Sequence, residues 1–330
     1  MRRREFVGLI GGAAVLQPLA ARAQRRREVP ELGVLMSVGE NDQGGRLRIA
    51  AFRQALQALG WKDGENIRVE YRWGASQKEL IHQYAQELVS LAPDVILANG
   101  TPVVAALRPL TRSIPIVCAL VIDPVGLGFV QSLSRPGGNI TGFSFVNPEL
   151  IGKWTELLKD AAPRVDRAAL LYNPKVNPWY ADFLRDLAAV PKSVAIELVP
   201  TIVESVDDFK KRIPILARVP GMGVMIGPEA YMVDHMHEIA PLAAANRLPG
   251  ISVYRQFAVE GGLMAYGPDI PDIFRRAAGY VDRILKGADP ATLPVQEPAK
   301  FELVLNEKAA GALGLALSPT LLAGADQVIE

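Results

Sequence analysis

The sequence predicts an α/β protein of two doubly wound parallel-sheet lobes joined by a hinge. Three observations carry this. Short β-rich runs alternate with amphipathic helical segments along nearly the whole chain. The alternation closes at ITGFS (140–144) and then restarts, giving two βαβ series. And 330 residues are enough for two separate cores.

In the first series LGVLMS (32–37) reads as a buried strand. Residues 44–59 follow with Leu47, Ala50/Ala51, Ala55, Leu56 and Leu59 at helical spacing, and Gly60 ends the helix. IRVEYRW (67–73) alternates as a strand, 76–91 is helical, and VILAN (95–99) is the third strand. Thr101-Pro102 opens the next helix as a hydroxyl cap followed by proline. IPIVCALV (114–121) is a strand, 124–133 a short helix, and Pro136-Gly137-Gly138-Asn139 a turn before ITGFS.

The second series reads helix 148–161, strand 167–172, helix 177–189, strand 194–200, helix 205–218, strand 222–226, helix 233–246 and strand 249–253. GGLMAYG (261–267), helix 270–286, extended FELVLN (301–306) and a helix near 307–313 complete the lobes. The tail is too short for a third domain, so the chain crosses between lobes more than once. The expected first lobe is 31–143 with 267–293, and the second is 144–266 with 294–330. Hinges are expected near Gly142–Val146, Tyr266–Pro268 and Pro294–Pro298. The sequence holds no internal repeat and no low-complexity stretch.

The opening MRRREFVGLIGGAAVLQPLAARAQ has a basic start, a modest apolar middle and an A-x-A end. That is the layout of a signal peptide, and Arg3-Arg4 before Phe6 and Val7 fits the twin-arginine pattern. Residues 1–23 are therefore expected to be removed after Ala23, with 24–30 as a linker and the periplasm as destination. Loss of Arg2, Arg3, Arg4, Arg22 and Glu5 lowers the formal charge from +1 to −2. No strong field remains to recruit nucleic acid. No later run is long and apolar enough to span a bilayer. The single cysteine, Cys118, sits in an apolar run and reads as a buried small hydrophobe.

Signals for catalysis are thin. There is no P-loop, no dinucleotide fingerprint and no G-x-S-x-G, since Gly142-Phe143-Ser144-Phe145-Val146 lacks its last glycine. Three histidines exist, none beside a recognisable nucleophile. Asp234-His235-Met236-His237-Glu238 resembles a metal cluster, but i and i+2 point to different helix faces, so no metal and no cofactor are expected. Asp269 and Asp272 read as turn and cap residues.

Ligands of open parallel sheets bind at the carboxyl ends of the strands. Those loops supply Ser37 and Gly39 after strand one, Gly100 and Thr101 after strand three, and Asp123 after strand four. The second lobe supplies Asn173, Gly227, Glu229, Tyr231 and Tyr254. Thr101 and the N–H groups after Gly100 suit an anionic group, Asp123 an ammonium, Asn173 further hydrogen bonds, and the two tyrosines flat apolar contacts. Each also has a plain structural reading: Thr101 as a cap, Asp123 as a turn acid and Asn173-Pro174 as a turn.

Several of these segments resemble the ABC-transporter substrate-binding protein family that includes tryptophan/tyrosine-type binding proteins. They include A-F-R-Q-A-L-Q-A-L-G-W, P-D-V-I-L-A-N-G-T-P, D-P-V-G-L-G-F-V-Q-S-L-S-R-P-G-G-N-I-T-G and P-A-K-F-E-L-V-L-N. The resemblance implies a type I periplasmic-binding fold with three crossovers and a ligand in the cleft. It matches the family's ligand loops to Gly100-Thr101-Pro102, Asp123-Pro124-Val125 and Asn173-Pro174. Two loops depart from the pattern: Val38–Gln43 is more acidic, and Gly227-Pro228-Glu229 lacks the order G-D-P. The expected protein is a monomer that delivers an amino acid or aromatic carboxylate to an ABC permease in the inner membrane. A sensing subunit for a membrane receptor is the alternative, and an exported α/β hydrolase a remote one.

Overall fold

The computed structural model describes residues 29–145, 148–176 and 196–330. The expected leader, most of the linker, Val146 and the helix expected at 177–189 lie outside the described residues.

The first sheet holds β1 (Glu31–Met36), β2 (Arg68–Trp73), β3 (Val95–Asn99), β4 (Ile116–Val121) and β5 (Ile140–Ser144) in the order β2-β1-β3-β4-β5. All pairings are parallel. Helices α1 (Gln43–Ala58), α2 (Lys78–Ser90) and α3 (Thr101–Leu107) connect them. Because helices cover both faces, β1, β3, β4 and β5 are buried throughout and are mostly apolar, with polar residues such as Glu31 and Asn99 at strand ends and Thr141 inside β5. The edge strand β2 is half-exposed and alternates instead.

The second lobe begins with α4 (Pro148–Ala161), β6 (Arg167–Tyr172) and β7 (Glu197–Ile202). Next come α5 (Val206–Leu216), β8 (Met222–Ile226), α6 (Ala230–Asp234), α7 (Met236–Ala245), β9 (Gly250–Ser252), α8 (Arg255–Val259) and β10 (Met264–Pro268). The chain then returns to the first lobe as α9 (Ile270–Leu285), which packs along α1 and against β4. Its apolar stripe, from Ile273 and Phe274 to Val281 and Ile284, faces that core, and Asp269 caps its start by accepting from Asp272 N at 2.8 Å. Residues beyond 300 add β11 (Phe301–Asn306), α10 (Glu307–Ala312), α11 (Pro319–Ala323) and β12 (Gln327–Ile329) to the second lobe.

The second sheet has the order β12-β11-β10-β9-β8-β6-β7. It is mixed, not purely parallel as expected: β11 runs antiparallel to β10, and β12 runs parallel to β11. The helices α8 and α11 and the strand β12 were not anticipated, since each is too short to show a period.

Two expected helices differ. Residues 124–133 form successive turns: Leu127 N and Phe129 N reach the carbonyls of Asp123 and Pro124, but Gly128 at φ +65° stops the helix from propagating. The helix expected over 233–246 breaks at His235, whose φ of −112° separates α6 from α7.

Three segments pass between the sheets: the link from β5 to α4, the step from β10 to α9, and residues 294–300. The third lies along β5, with Ser144 N donating to Gln296 O and Gln296 N to Gly142 O, both at 2.9 Å. Trp154 of α4, fully buried, donates its Nε1–H to Tyr266 O at 2.7 Å and so ties the second lobe to the second crossing. Among the described residues no helix is long and apolar enough to cross a membrane.

Candidate functional site

In the first sheet the strand order reverses between β1 and β3, and in the second between β6 and β8. At such a switch point neighbouring loops diverge and leave a crevice at the carboxyl ends of the strands. Here the two crevices face each other. Ser37, just past β1, donates its hydroxyl to Asn99 Oδ1 at 3.0 Å and closes the first. Asn173 N, just past β6, donates to Glu229 Oε1 at 2.5 Å and closes the other.

Between them lies a cavity of about 20 Å³, room for little more than one water. Ser37, Gly100 and Thr101 line it from the first lobe, Glu229 and Tyr254 from the second. The Thr101 hydroxyl accepts from Ile122 N at 3.0 Å, which locks α3 to the end of β4. Thr101 is not the cap of α3, as the sequence suggested. Gly100 takes that position at φ +86°, a conformation glycine adopts without strain. Val103 N and Val104 N both turn to Gly100 O and Pro102 has no N–H, so this turn offers fewer donors than expected.

The other predicted residues fall elsewhere. Gly39 lies at the outer mouth of the cleft, and Gly227 and Asn173 support Glu229 from behind. Asn173 Oδ1 also accepts from Lys175 N at 2.9 Å, an Asx turn. Asp123 is exposed, and its carboxylate is used on Gly126 N at 2.8 Å within its own turn. Tyr231 does not line the cavity; its ring lies tilted against His235, 4.3 Å between ring centres, and stacks on Phe209.

Residues that sequence reasoning missed complete the walls. Leu120 reaches the cavity through a β-bulge between Cys118 and Val121, at φ +62°. A left-handed leucine is uncommon and marks stored strain at a site. Phe145, at the first crossing, sits 5.9 Å from the Tyr254 ring. Arg48 of α1 also lines the cavity. Burial pushes the Tyr254 phenol far up, against the pull of the Arg48 charge, so it stays a neutral donor.

The lobes touch at the mouth. Asp234 Oδ1 accepts from Gly39 N at 3.2 Å, and Oδ2 accepts from the Ser76 hydroxyl at 2.5 Å. Burial pushes the Asp234 carboxyl above its ordinary value; the Ser76 and Gly39 hydrogen bonds oppose this. Around this clasp opens a space of about 690 Å³ carrying the carboxylates of Glu40, Asp42, Asp234 and Glu260. His235 and His237 border it, with His235 Nδ1 2.9 Å from Tyr231 O and His237 Nε2 3.1 Å from Glu238. A third space, about 420 Å³, lies between α1, α8 and the second crossing.

Residues 41–329 match the family model described as ABC transporter substrate binding protein. The chain is 29% identical over 267 residues to a tyrosine-binding protein of Clostridioides difficile strain R20291, over 80% of this chain and 75% of that one. Its fold is similar to the crystal structure of an ABC domain in complex with L-Trp from Streptococcus pneumonia: TM-score 0.83 at 22% identity, covering 91% of this chain and 100% of that one. It is also similar to a ligand-free, open structure of a substrate-binding protein with adhesive properties from Clostridium difficile. There the TM-score is 0.66 at 24% identity, covering 91% and 99%.

Proposed function

Because the chain belongs to the ABC transporter substrate binding protein family, we propose that it works in the periplasm, capturing an amino acid or aromatic carboxylate for an ABC importer. One observation carries this reading. Loops at two facing switch points, one from each lobe, line a single cavity with polar groups and one aromatic ring. A ligand there touches both lobes and so stabilises the form in which they meet. The two solved structures support closure as the working motion: similarity is higher to the L-Trp complex than to the ligand-free, open one. The lobes open to admit the ligand, since about 20 Å³ cannot hold an amino acid. Glu229 and Tyr254 are the second-lobe groups best set to meet an ammonium and an apolar body. Asp123, exposed and committed to its own turn, is not. The mature chain, 24–330, acts as a monomer and meets its permease through the outer faces of both lobes.

Thermal unfolding of that mature chain against amino acids, aromatic and aliphatic carboxylates, sugars and polyamines tests the reading. A ligand at about 100 times its Kd adds roughly 2.7 kcal/mol. A rise with an amino acid or carboxylate is the expected result. A rise with sugars or polyamines alone overturns the ligand class.

A further inference from the structure

The sequence places Leu47 on the inner face of α1 with Ala51 and Leu56; the structure buries those two but puts Arg48 inside in place of Leu47. Leu47 is 56% exposed and Arg48 only 4%. Arg48 shares its face with Gly44, Gly45 and Phe52, where an apolar residue is the ordinary occupant. Among the described residues nothing hydrogen-bonds its guanidinium and nothing forms an ion pair with it. Three carboxylates in the neighbourhood are committed elsewhere, whereas Glu260, which lines the larger space with Arg48, keeps a buried Oε2 without a hydrogen-bond partner. Glu229 accepts from Asn173 N, Asp42 caps α1 through Gly45 N, and Asp234 clasps Gly39 and Ser76. A guanidinium offers five donors and stays charged, so burying it without an anion is costly.

Its position gives the cost a purpose. Arg48 lines both the small central cavity and the space of about 420 Å³ beside it, and so forms the partition between them. That larger space has apolar walls at Leu47, Val259 and Val304 and is also lined by Glu260, Asp269 and Glu302. An anion at Arg48 would lie against Tyr254 and between the lobes, with room beside it for an apolar body.

We propose that Arg48 is the carboxylate receptor of the interlobe site and selects ligands that carry a carboxylate next to an apolar group. The assignment rests on the amino-acid or carboxylate reading above. It moves the anion from the turn at Gly100–Thr101 to a buried fork that can bind it bidentately.

The test compares the wild type with Arg48→Met, which keeps the stem and removes the charge. Three probes are titrated calorimetrically: L-tyrosine, tyramine without the carboxylate, and 3-(4-hydroxyphenyl)propionate without the amine. The wild type is expected to bind the two carboxylates and the variant to lose at least about thirtyfold in affinity for both, with tyramine unchanged between them. The ligand-free variant is expected to melt higher than the wild type, because an unneutralised charge has gone. L-tyrosine affinity within threefold of wild type, or a lower melting temperature without ligand, overturns the assignment. If none of the three probes binds the wild type, the amino-acid reading fails, and acetate and benzoate against chloride at equal ionic strength decide Arg48 separately. Carboxylate-specific stabilisation of the wild type alone supports it, and identical responses overturn it.

Discussion

Cys118 lies in the middle of β4 with 1% of its surface exposed, and burial pushes its thiol up to about 12. The thiolate, which is the reactive form, is therefore almost absent at neutral pH. Labelling by a maleimide is expected to proceed only as fast as the chain unfolds, and to become rapid in denaturant. Fast labelling of the native protein would contradict the burial. The sequence made this legible, because apolar neighbours surround the residue on both sides. Asp123 and Arg48 were not legible in the same way. Asp123 has the character of a ligand acid, yet it closes a turn on Gly126. Arg48 has the character of a surface charge, yet it is buried. Residue type gives the chemistry a side chain can do, but burial and partners decide whether it is spent locally.

At the scale of elements, periodicity placed most strands and long helices within two residues. It failed where length is short or where a turn competes. The segment 124–133 has helical composition, yet Gly126 and Gly128 sit among bonds that close turns. In α1, which packs along α9, the pattern held at Ala51 and Leu56 and failed at Leu47 and Leu59, which are exposed. The crossing at β5 depends on one glycine. Gly142 adopts φ +134°, and a Cβ there would stand 2.1 Å from Cys118 O, a backbone atom that cannot step aside. Gly142→Ala is expected to cost about 3 kcal/mol, read as a fall in melting temperature of the ligand-free chain. A loss under about 0.5 kcal/mol would show that this crossing tolerates rearrangement.

At the scale of the whole molecule, the two lobes meet through Asp234. Burial raises its carboxyl where the lobes meet, with Asp42 adding and His235 opposing, and the opening proposed above would return it to water and toward the ordinary 3.8. The joined form therefore binds the proton more tightly. Its advantage is fully present below the ordinary value and is lost as pH rises through the raised one. The radius of gyration of the ligand-free protein is expected to increase as pH rises through that window. Asp234→Asn, which keeps a neutral acceptor for Gly39 N, should flatten the profile. An unchanged slope in the variant would place the pH response elsewhere.

The sequence by itself determined the fold class, the restart between two lobes, the loops at the strand ends and the family resemblance, because these are written in local periodicity, turn chemistry and contiguous motifs. The tertiary structure alone decided which loop residues converge. Ser37, Thr101, Glu229 and Tyr254 are up to 217 positions apart and meet only when two switch points face each other. It also decided that Arg48 is buried and that Asp234 bridges the lobes. Both depend on how one lobe is set against the other, and no local window of sequence carries that information.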